Sequence, residues 1–434
     1  MRHATTLAVV GILTIPHFAF AESPDDAKAR ILVAQLAADD YRTREQANRE
    51  LTLLGERVLP TLRDALPRTT DPEASRRLSL IVRKLETERL TTARRVTLKL
   101  SKVTAKAALE ELSKQSGYAI HTDGLSGDEA KTLYSFDLAD VPFWKALDEI
   151  CNAAGLTPNL QDDNGRVHVY FSDTFNPYVV YSGPFRVIAS NLTVSQGLQL
   201  GGLQRARPFA RQPEYMNFSF QVMGEPKAPL IGIGQAEAVA VTDDTGASMI
   251  PPLEPGQVRT FYPPQMSYRT YTMGSGLNLT RTVRNATEIK ELRGTIPIMV
   301  LAETRPDVTV TNLATAKGKR FAGREIDVEI TQFADQNGSV TMGVLLTRRD
   351  GNPDDYAWLN GVTQRLELYD DLGAKLQLSS IDQNTTGPNA SAMTLQYAPQ
   401  NGNKKLGKPS KLVLVEWMTV MKNVEFQFKR LPLP

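Results

Sequence analysis

The sequence predicts a multidomain α+β protein: a short α-helical segment, a small βαββαββ domain and two tandem β-sandwich domains. Three observations predict it. Helical periodicity fills the chain from about Ala27 to Glu88, alternates with strand-like runs from Ala93 to Ser172, and then disappears. Beyond Ser172, short alternating runs are separated by Gly, Pro, Asn and Asp clusters, the spacing of sandwich strands. A phrase also recurs in that strand-rich stretch: "TDDTGASM" (Thr242–Met249) returns as "YDDLGAKL" (Tyr369–Leu376). With 434 residues the chain exceeds one core, and about 150 residues per domain gives roughly three units.

The first 21 residues (1–21) join a basic Arg2, an apolar stretch Leu7–Ile15 and the small-residue pattern Ala19-Phe20-Ala21. This is the make-up of a secretory signal peptide cleaved after Ala21. A periplasmic or extracellular protein is expected, without membrane insertion, because no segment approaches the roughly 18 apolar residues of a spanning helix. Fifty basic and 48 acidic side chains nearly cancel, which argues against a nucleic-acid partner. Cys151 is the only cysteine, so no intramolecular disulfide forms. It shares a helical stripe with Leu147, Ile150 and Ala154 and reads as a buried apolar residue rather than a reactive thiol.

Residues 22–92 read as helical. Ala47, Leu51 and Leu54 lie on one face before Gly55, which ends the helix; Val58, Leu59, Leu62, Ala65 and Leu66 mark a second. Asp71-Pro72, a cap followed by proline at the first helical position, starts a third with Leu78, Ile81, Val82 and Leu85. With aspartates before the helix, Arg44, Ala47, Leu51, the Leu54-Gly55 turn and Pro60, the segment resembles a HEAT-type helical repeat. About sixty residues hold one to two repeats, whereas a solenoid needs about three to bury its core. Leu51, Leu62 and Leu78 are therefore expected to need a neighbour.

Residues 93–173 alternate strand Arg95–Ser101, helix Thr104–Ser116, strand Tyr118–Thr122, strand Leu133–Leu138, helix Pro142–Ala154, strand Thr157–Leu160 and strand Arg166–Phe171. Asp162-Asp163-Asn164-Gly165 supplies the last hairpin turn. Through "VTLKLSKVTAKAALEELSKQSGYAI" and "YSFDLADVPFWKALDEICNAAGL" this segment resembles the short N-terminal domain of secretins and TonB-dependent receptors (the STN domain). The resemblance implies a docking module of the cell envelope without catalysis; no secretin barrel follows here.

Residues 174–303 and 304–434 are the two expected β-sandwiches, of immunoglobulin-like type. The matching flanks are Ser182–Thr193 and Ala322–Phe333 upstream, and the triplets Ile296-Pro297-Ile298 and Leu431-Pro432-Leu433 downstream. Gly246 is expected to correspond to Gly373 and Pro297 to Pro432. Pro251–Pro264 and Gln383–Lys408 read as loops, as does Gly274-Ser275-Gly276.

Candidate chemistry is sparse. His121 and His168 lie outside metal-ligand spacing, and neither HExxH, GxSxG nor a phosphate-cradling loop occurs. A Cys151–His168 nucleophile pair would place both residues in structural positions. Asp350, Asn352, Asp354 and Asp355 could coordinate Ca²⁺, yet the loop from Asp350 to Asp355 lacks the Gly and distal Glu of an EF-hand and reads as a polar turn. Asp243-Asp244 and Asp370-Asp371 read as turn residues before Gly rather than paired catalytic carboxylates. Phe261, Tyr262, Tyr268 and Tyr271, beside Pro251, Pro263 and Pro264, either stack on sugars or grip a peptide, or fill space between domains. Seven Asn-x-Ser/Thr triplets (Asn191, Asn217, Asn278, Asn285, Asn337, Asn384, Asn389) matter only in a eukaryotic secretory pathway.

These readings leave no catalytic, cofactor-binding or metal residue, and no cofactor. The expected function is an exported, non-catalytic envelope adaptor or scaffold that binds a protein partner through the helical and STN-like unit. The rival is an envelope carbohydrate-binding or hydrolytic protein that uses loops of the sandwiches.

Overall fold

Serine before proline starts the first helix: Ser23 Oγ accepts the Asp26 N–H at 3.1 Å, and α1 runs Pro24–Gln35. The computed structural model describes residues 23–434 except 123–124, 126–130, 161–164, 173, 196–214, 254–261, 282, 284, 337–338, 350–355 and 399–406. Residues 1–21, expected to be a signal peptide, and the loop 350–355 therefore lie outside the described residues. It is a mixed α+β structure with several sheets, and it divides into two compact units, Met1–Arg89 and Leu90–Pro434.

In the first unit, α2 (Tyr41–Leu54) is capped by Asp40, whose carboxylate accepts the Thr43 N–H at 2.9 Å, and ends at Gly55 with φ 69°. Then come α3 (Leu59–Ala65) and α4 (Pro72–Thr91), the latter capped by Asp71 through the Ala74 N–H at 2.7 Å. Leu51, Leu62 and Leu78 are wholly buried, in a cluster whose members all lie between Ala29 and Leu85. The expectation that they need a neighbouring domain is thereby corrected. Helix α1, which the sequence pattern does not separate from α2, lies on α2 and α3 and contributes Ala29, Leu32 and Leu36 to the core.

The second unit opens with β1 (Arg95–Thr104), α5 (Ala105–Ser116), β2 (Ile120–His121), β3 (Leu133–Pro142), α6 (Phe143–Ala154), β4 (Leu156–Asn159) and β5 (Val167–Phe171). β1 pairs antiparallel with β3, and β2-β5-β4 form a second sheet. The two strand-helix halves are copies of one another. Lys102 and Asp140 both take positive φ, 53° and 48°, and their N–H groups donate to Ser135 Oγ at 3.1 Å and Thr97 Oγ1 at 3.0 Å. Both helices end on left-handed glycines, Gly117 and Gly155.

The β-rich region comprises β6 (Val179–Ser182), β7 (Phe185–Ser195), β8 (Tyr215–Gly224), β9 (Leu230–Ile233), β10 (Glu237–Asp243), β11 (Thr272–Thr280) and β12 (Glu288–Thr311). It continues with β13 (Arg320–Phe321), β14 (Ile326–Gln336), β15 (Ser339–Arg348), β16 (Leu366–Asp370), β17 (Gln377–Thr386), β18 (Ala390–Ala398) and β19 (Pro409–Pro432). Two outer sheets, β6-β7-β8-β11 and β13-β14-β15-β18-β17, share one topology, with β17 as an addition in the second. Both pack on a third sheet, β10-β12-β19-β16.

In that third sheet β12 and β19 pair along their whole length, from Glu288↔Pro432 through Val300↔Val420 to Thr311↔Lys411. Each long strand begins in one half and ends in the other. Val424, Phe426 and Phe428, at the chain's end, bury against Phe218 and Phe220 of β8 in the first core, with Phe218 and Phe428 rings 5.7 Å apart. Val308 and Val310 of β12 belong instead to the second core, with Val328, Val344, Leu395 and Leu412. The boundary expected at residues 303/304 thus falls inside β12.

Three further expectations change. Gln383–Lys408 is not all loop: β17 reaches Thr386, and β18 buries Met393, Leu395 and Tyr397 in strict alternation. Gly274-Ser275-Gly276 lies within β11. Pro297 is not the counterpart of Pro432, for Pro297 stands opposite Asn423 in the middle of the ribbon, whereas Pro432 stands opposite Glu288 at its end.

Candidate binding cleft at the edge of the first outer sheet

The recurring turns hold their aspartates in backbone work. Asp243 Oδ1 accepts from the N–H groups of Thr245 (3.0 Å) and Ala247 (2.9 Å); Asp370 Oδ1 accepts from Leu372 (3.0 Å) and Ala374 (2.6 Å). Gly246 and Gly373 follow at φ 86° and 82°, as a left-handed turn position requires. Asp244 accepts from the Thr287 N–H at 3.1 Å and Asp371 from the Lys408 N–H at 2.9 Å. Burial pushes the Asp370 carboxyl up, but the amides of Gly407, Ala374, Leu372 and Gly373 outweigh it and hold it below the usual carboxylate value. All four are turn residues.

Cys151 is buried beside Leu147 and Ile150. Burial, then the charge of Asp148, pushes its thiol well above the usual range, so it carries little thiolate at neutral pH. His168 stacks on His121 across β2 and β5, ring centres 5.1 Å apart. Among the described residues no group of three His, Cys, Asp or Glu is placed to hold a metal ion, and no helix is long and apolar enough to cross a membrane.

The aromatic cluster divides. Phe261 lies outside the described residues. Tyr271 is buried in the core of the small α+β domain, its hydroxyl accepting from Arg269 at 3.2 Å. Tyr262 and Tyr268 are 66% and 57% exposed and flank an open cleft of ≈ 490 Å³. The cleft's other wall is Gly234 and Gln235 after β9, with Thr272, Met273 and Gly274 of β11. Backbone bonds fix the tyrosine-bearing loop: Ser267 N–H donates to Ile231 O at 2.7 Å and Gln235 N–H to Tyr262 O at 3.3 Å. Side chains from the second half hold it too, with Asn360 donating to Met266 O at 3.2 Å. The loop both exposes two tyrosines and bridges the halves.

The sequence reading missed two buried carboxylates that join the small α+β domain to the first outer sheet. Glu225, at the end of β8, has no exposed surface; it accepts from Tyr118 Oη at 2.7 Å and from the Arg94 N–H at 3.1 Å, with Lys227 Nζ 3.8 Å away. Asp148 of α6 accepts from Tyr181 Oη and Arg186 Nε, each at 2.7 Å. Trp144 Nε1 donates to Pro184 O at 3.1 Å, and Met223 and Tyr271 complete the α+β core. Asp148 could have been found, since it lies four residues after Trp144 and three before Cys151, on the apolar stripe. The cleft itself is lined by two tyrosines, amide and hydroxyl side chains and the exposed backbone of Gly274, a surface suited to a polymer with its own hydrogen-bonding groups. No family model, curated protein or solved structure matches this chain, and the cleft's chemistry rests on its own geometry.

Proposed function

We propose that the protein is an exported, non-catalytic adaptor or scaffold of the cell envelope that holds a protein partner. In this reading the helical unit is HEAT-like, the small α+β domain is STN-like, and the β-rich region is a pair of immunoglobulin-like sandwiches interlocked through β12 and β19. The observation that supports it is the cleft: Tyr262 and Tyr268 stand exposed on a loop tied at several backbone positions, against the edge of a sheet. Rigid aromatic anchors beside accessible backbone are what peptide recognition uses. Docking through the helical unit loses its motive, because Leu51, Leu62 and Leu78 are already covered.

The rival reading, a carbohydrate site, draws on the same two tyrosines. Its hydrolytic form has weaker support, because among the described residues the cleft lining carries no carboxylate. The test is affinity capture from the native envelope with tagged wild-type protein and the Tyr262→Ala/Tyr268→Ala double variant. A protein retained by wild type and lost by the variant supports the proposal. Retention of envelope polysaccharide instead would install the rival, and equal capture by both proteins would move the site away from the cleft.

A further inference from the structure

Hydrogen-bond phase along β11 leaves one row of backbone groups facing away from its neighbour. The Gly224 N–H donates to Tyr271 O at 2.9 Å, and the ladder continues through Met273↔Val222 and Ser275↔Phe220. Residues of the other parity point their N–H and C=O to the opposite side. Thr280 N–H accordingly leaves β8 and donates to Met249 O at 2.8 Å, and Thr272 N–H turns to Thr270 Oγ1 at 3.3 Å. Gly274, Gly276 and Asn278 lie between these two ends, and among the described residues no strand pairs with this edge of β11.

The second half shows what occupies the corresponding edge. There the Arg348 N–H donates to Asn389 O at 2.8 Å, the counterpart of the Gly224–Tyr271 rung. Counting on from that rung, Gly274, Gly276 and Asn278 correspond to Ala392, Thr394 and Gln396 of β18. Those three residues pair with Thr385, Asp382 and Ser380 of β17, an antiparallel strand with no equivalent beside β11 among the described residues.

Resting on the reading of the cleft as a peptide site, we propose that β11 takes up an extended segment of the partner protein as a fifth, antiparallel strand in the position that β17 fills in the second half. Proline-free sequence is required of the visitor where its N–H groups meet Gly274, Gly276 and Asn278. The two glycines expose bare backbone on the outer face, so an aromatic side chain of the visitor covers them with gain, and Tyr262 and Tyr268 close the end of the groove.

The test uses the full chain and a random-peptide library displayed on phage, with backbone hydrogen exchange and the variants Gly274→Pro and Gly274→Ala. The Gly274 N–H serves no bond to β8, and an added Cβ meets only Phe220 O at 3.9 Å, so both variants keep the existing ladder. Selected peptides are expected to slow exchange at the Gly274, Gly276 and Asn278 amides, to bind G274A as they bind wild type, and to bind G274P about tenfold more weakly. Asn278→Pro, at the same edge, is expected to repeat the loss, which keeps the test decisive should G274P fold poorly. Slow exchange at the Gly274, Gly276 and Asn278 amides before any peptide is added would overturn the proposal by assigning the edge to the chain's own residues. Peptides that survive both prolines yet are lost in the Tyr262/Tyr268 double variant would overturn strand addition while leaving the peptide cleft standing. A library that yields no binder would overturn both.

Discussion

Glu225 is where burial and hydrogen bonding compete most openly. Burial pushes its carboxyl above the ordinary 4.5, against the Tyr118 hydroxyl, Lys227 and the Arg94 amide, which pull it down. Because the folded state holds the proton more tightly than the unfolded chain, this group's contribution is fully present below 4.5 and is lost as pH rises through its raised value. Urea-midpoint measurements should therefore show stability falling with pH across that window, and Glu225→Gln should flatten the slope. Asp243 is the simpler case. Asp243→Ala removes the carboxylate that accepts from the Thr245 and Ala247 amides and should cost about 1–3 kcal/mol in chemical unfolding without altering capture of the partner. The residue types of these turns were legible from Asp-Asp-x-Gly alone, because an Asx turn is local. Glu225 was not, since its partners Arg94 and Tyr118 stand more than a hundred positions away and nothing in "MGEPKAP" marks the carboxylate as buried.

Among the elements, β12 and β19 account for most of what the sequence did not disclose. Pro297, expected in a triplet that closes a strand, lies inside β12, as does Pro306. Pro297 is tolerated because it sits between the pairing of β10, which stops at Thr295, and that of β9, which starts at Ile298. Its carbonyl still accepts the Gly234 N–H at 2.8 Å. The two recurring turns were legible because each depends on four or five residues, whereas the crossing of long strands between the halves depends on tertiary pairing that no local pattern encodes. Small residues misled in the same way at Gly274 and Gly276, whose place in β11 is set by pairing with β8. The crossing makes a directional prediction: truncation after Met421 removes Val424, Phe426, Phe428 and Leu431 from the first core but leaves Leu412 and Leu414 in the second. Hydrogen exchange should accelerate through β7 and β8 while β14 and β15 stay protected. Equal acceleration in both halves would mean that the two cores unfold as one.

At the scale of the whole molecule, covalent order and folding order diverge. The helical residues close their own core from Ala29 to Leu85, so a fragment spanning residues 23–89 should fold alone with a cooperative thermal transition. A fragment of residues 22–173, although it contains every strand and helix of the small α+β domain, lacks Pro184, Arg186, Tyr181, Met223 and Glu225. Its Trp144 indole, Asp148 carboxylate and Tyr118 hydroxyl would lose the partners that satisfy them, and unpaired buried polar groups are costly. That fragment should consequently show dispersed helical signals only from α1–α4, with Cys151 labelled rapidly by a thiol reagent, whereas in the intact protein buried Cys151 should react slowly. Residues 174–303 should fare no better, because their outer sheet meets Phe426 and Phe428 only when β19 has returned from the far end of the chain. Folding of the first core should then wait for the C-terminus, and in a chain lengthened stepwise from residue 303 to residue 434 native protection of β7 and β8 should appear only once residues 424–431 are present. Native signal appearing in the chain that ends at 303 would show that β12 can find another partner and that the crossing of the two long strands is dispensable for the first core.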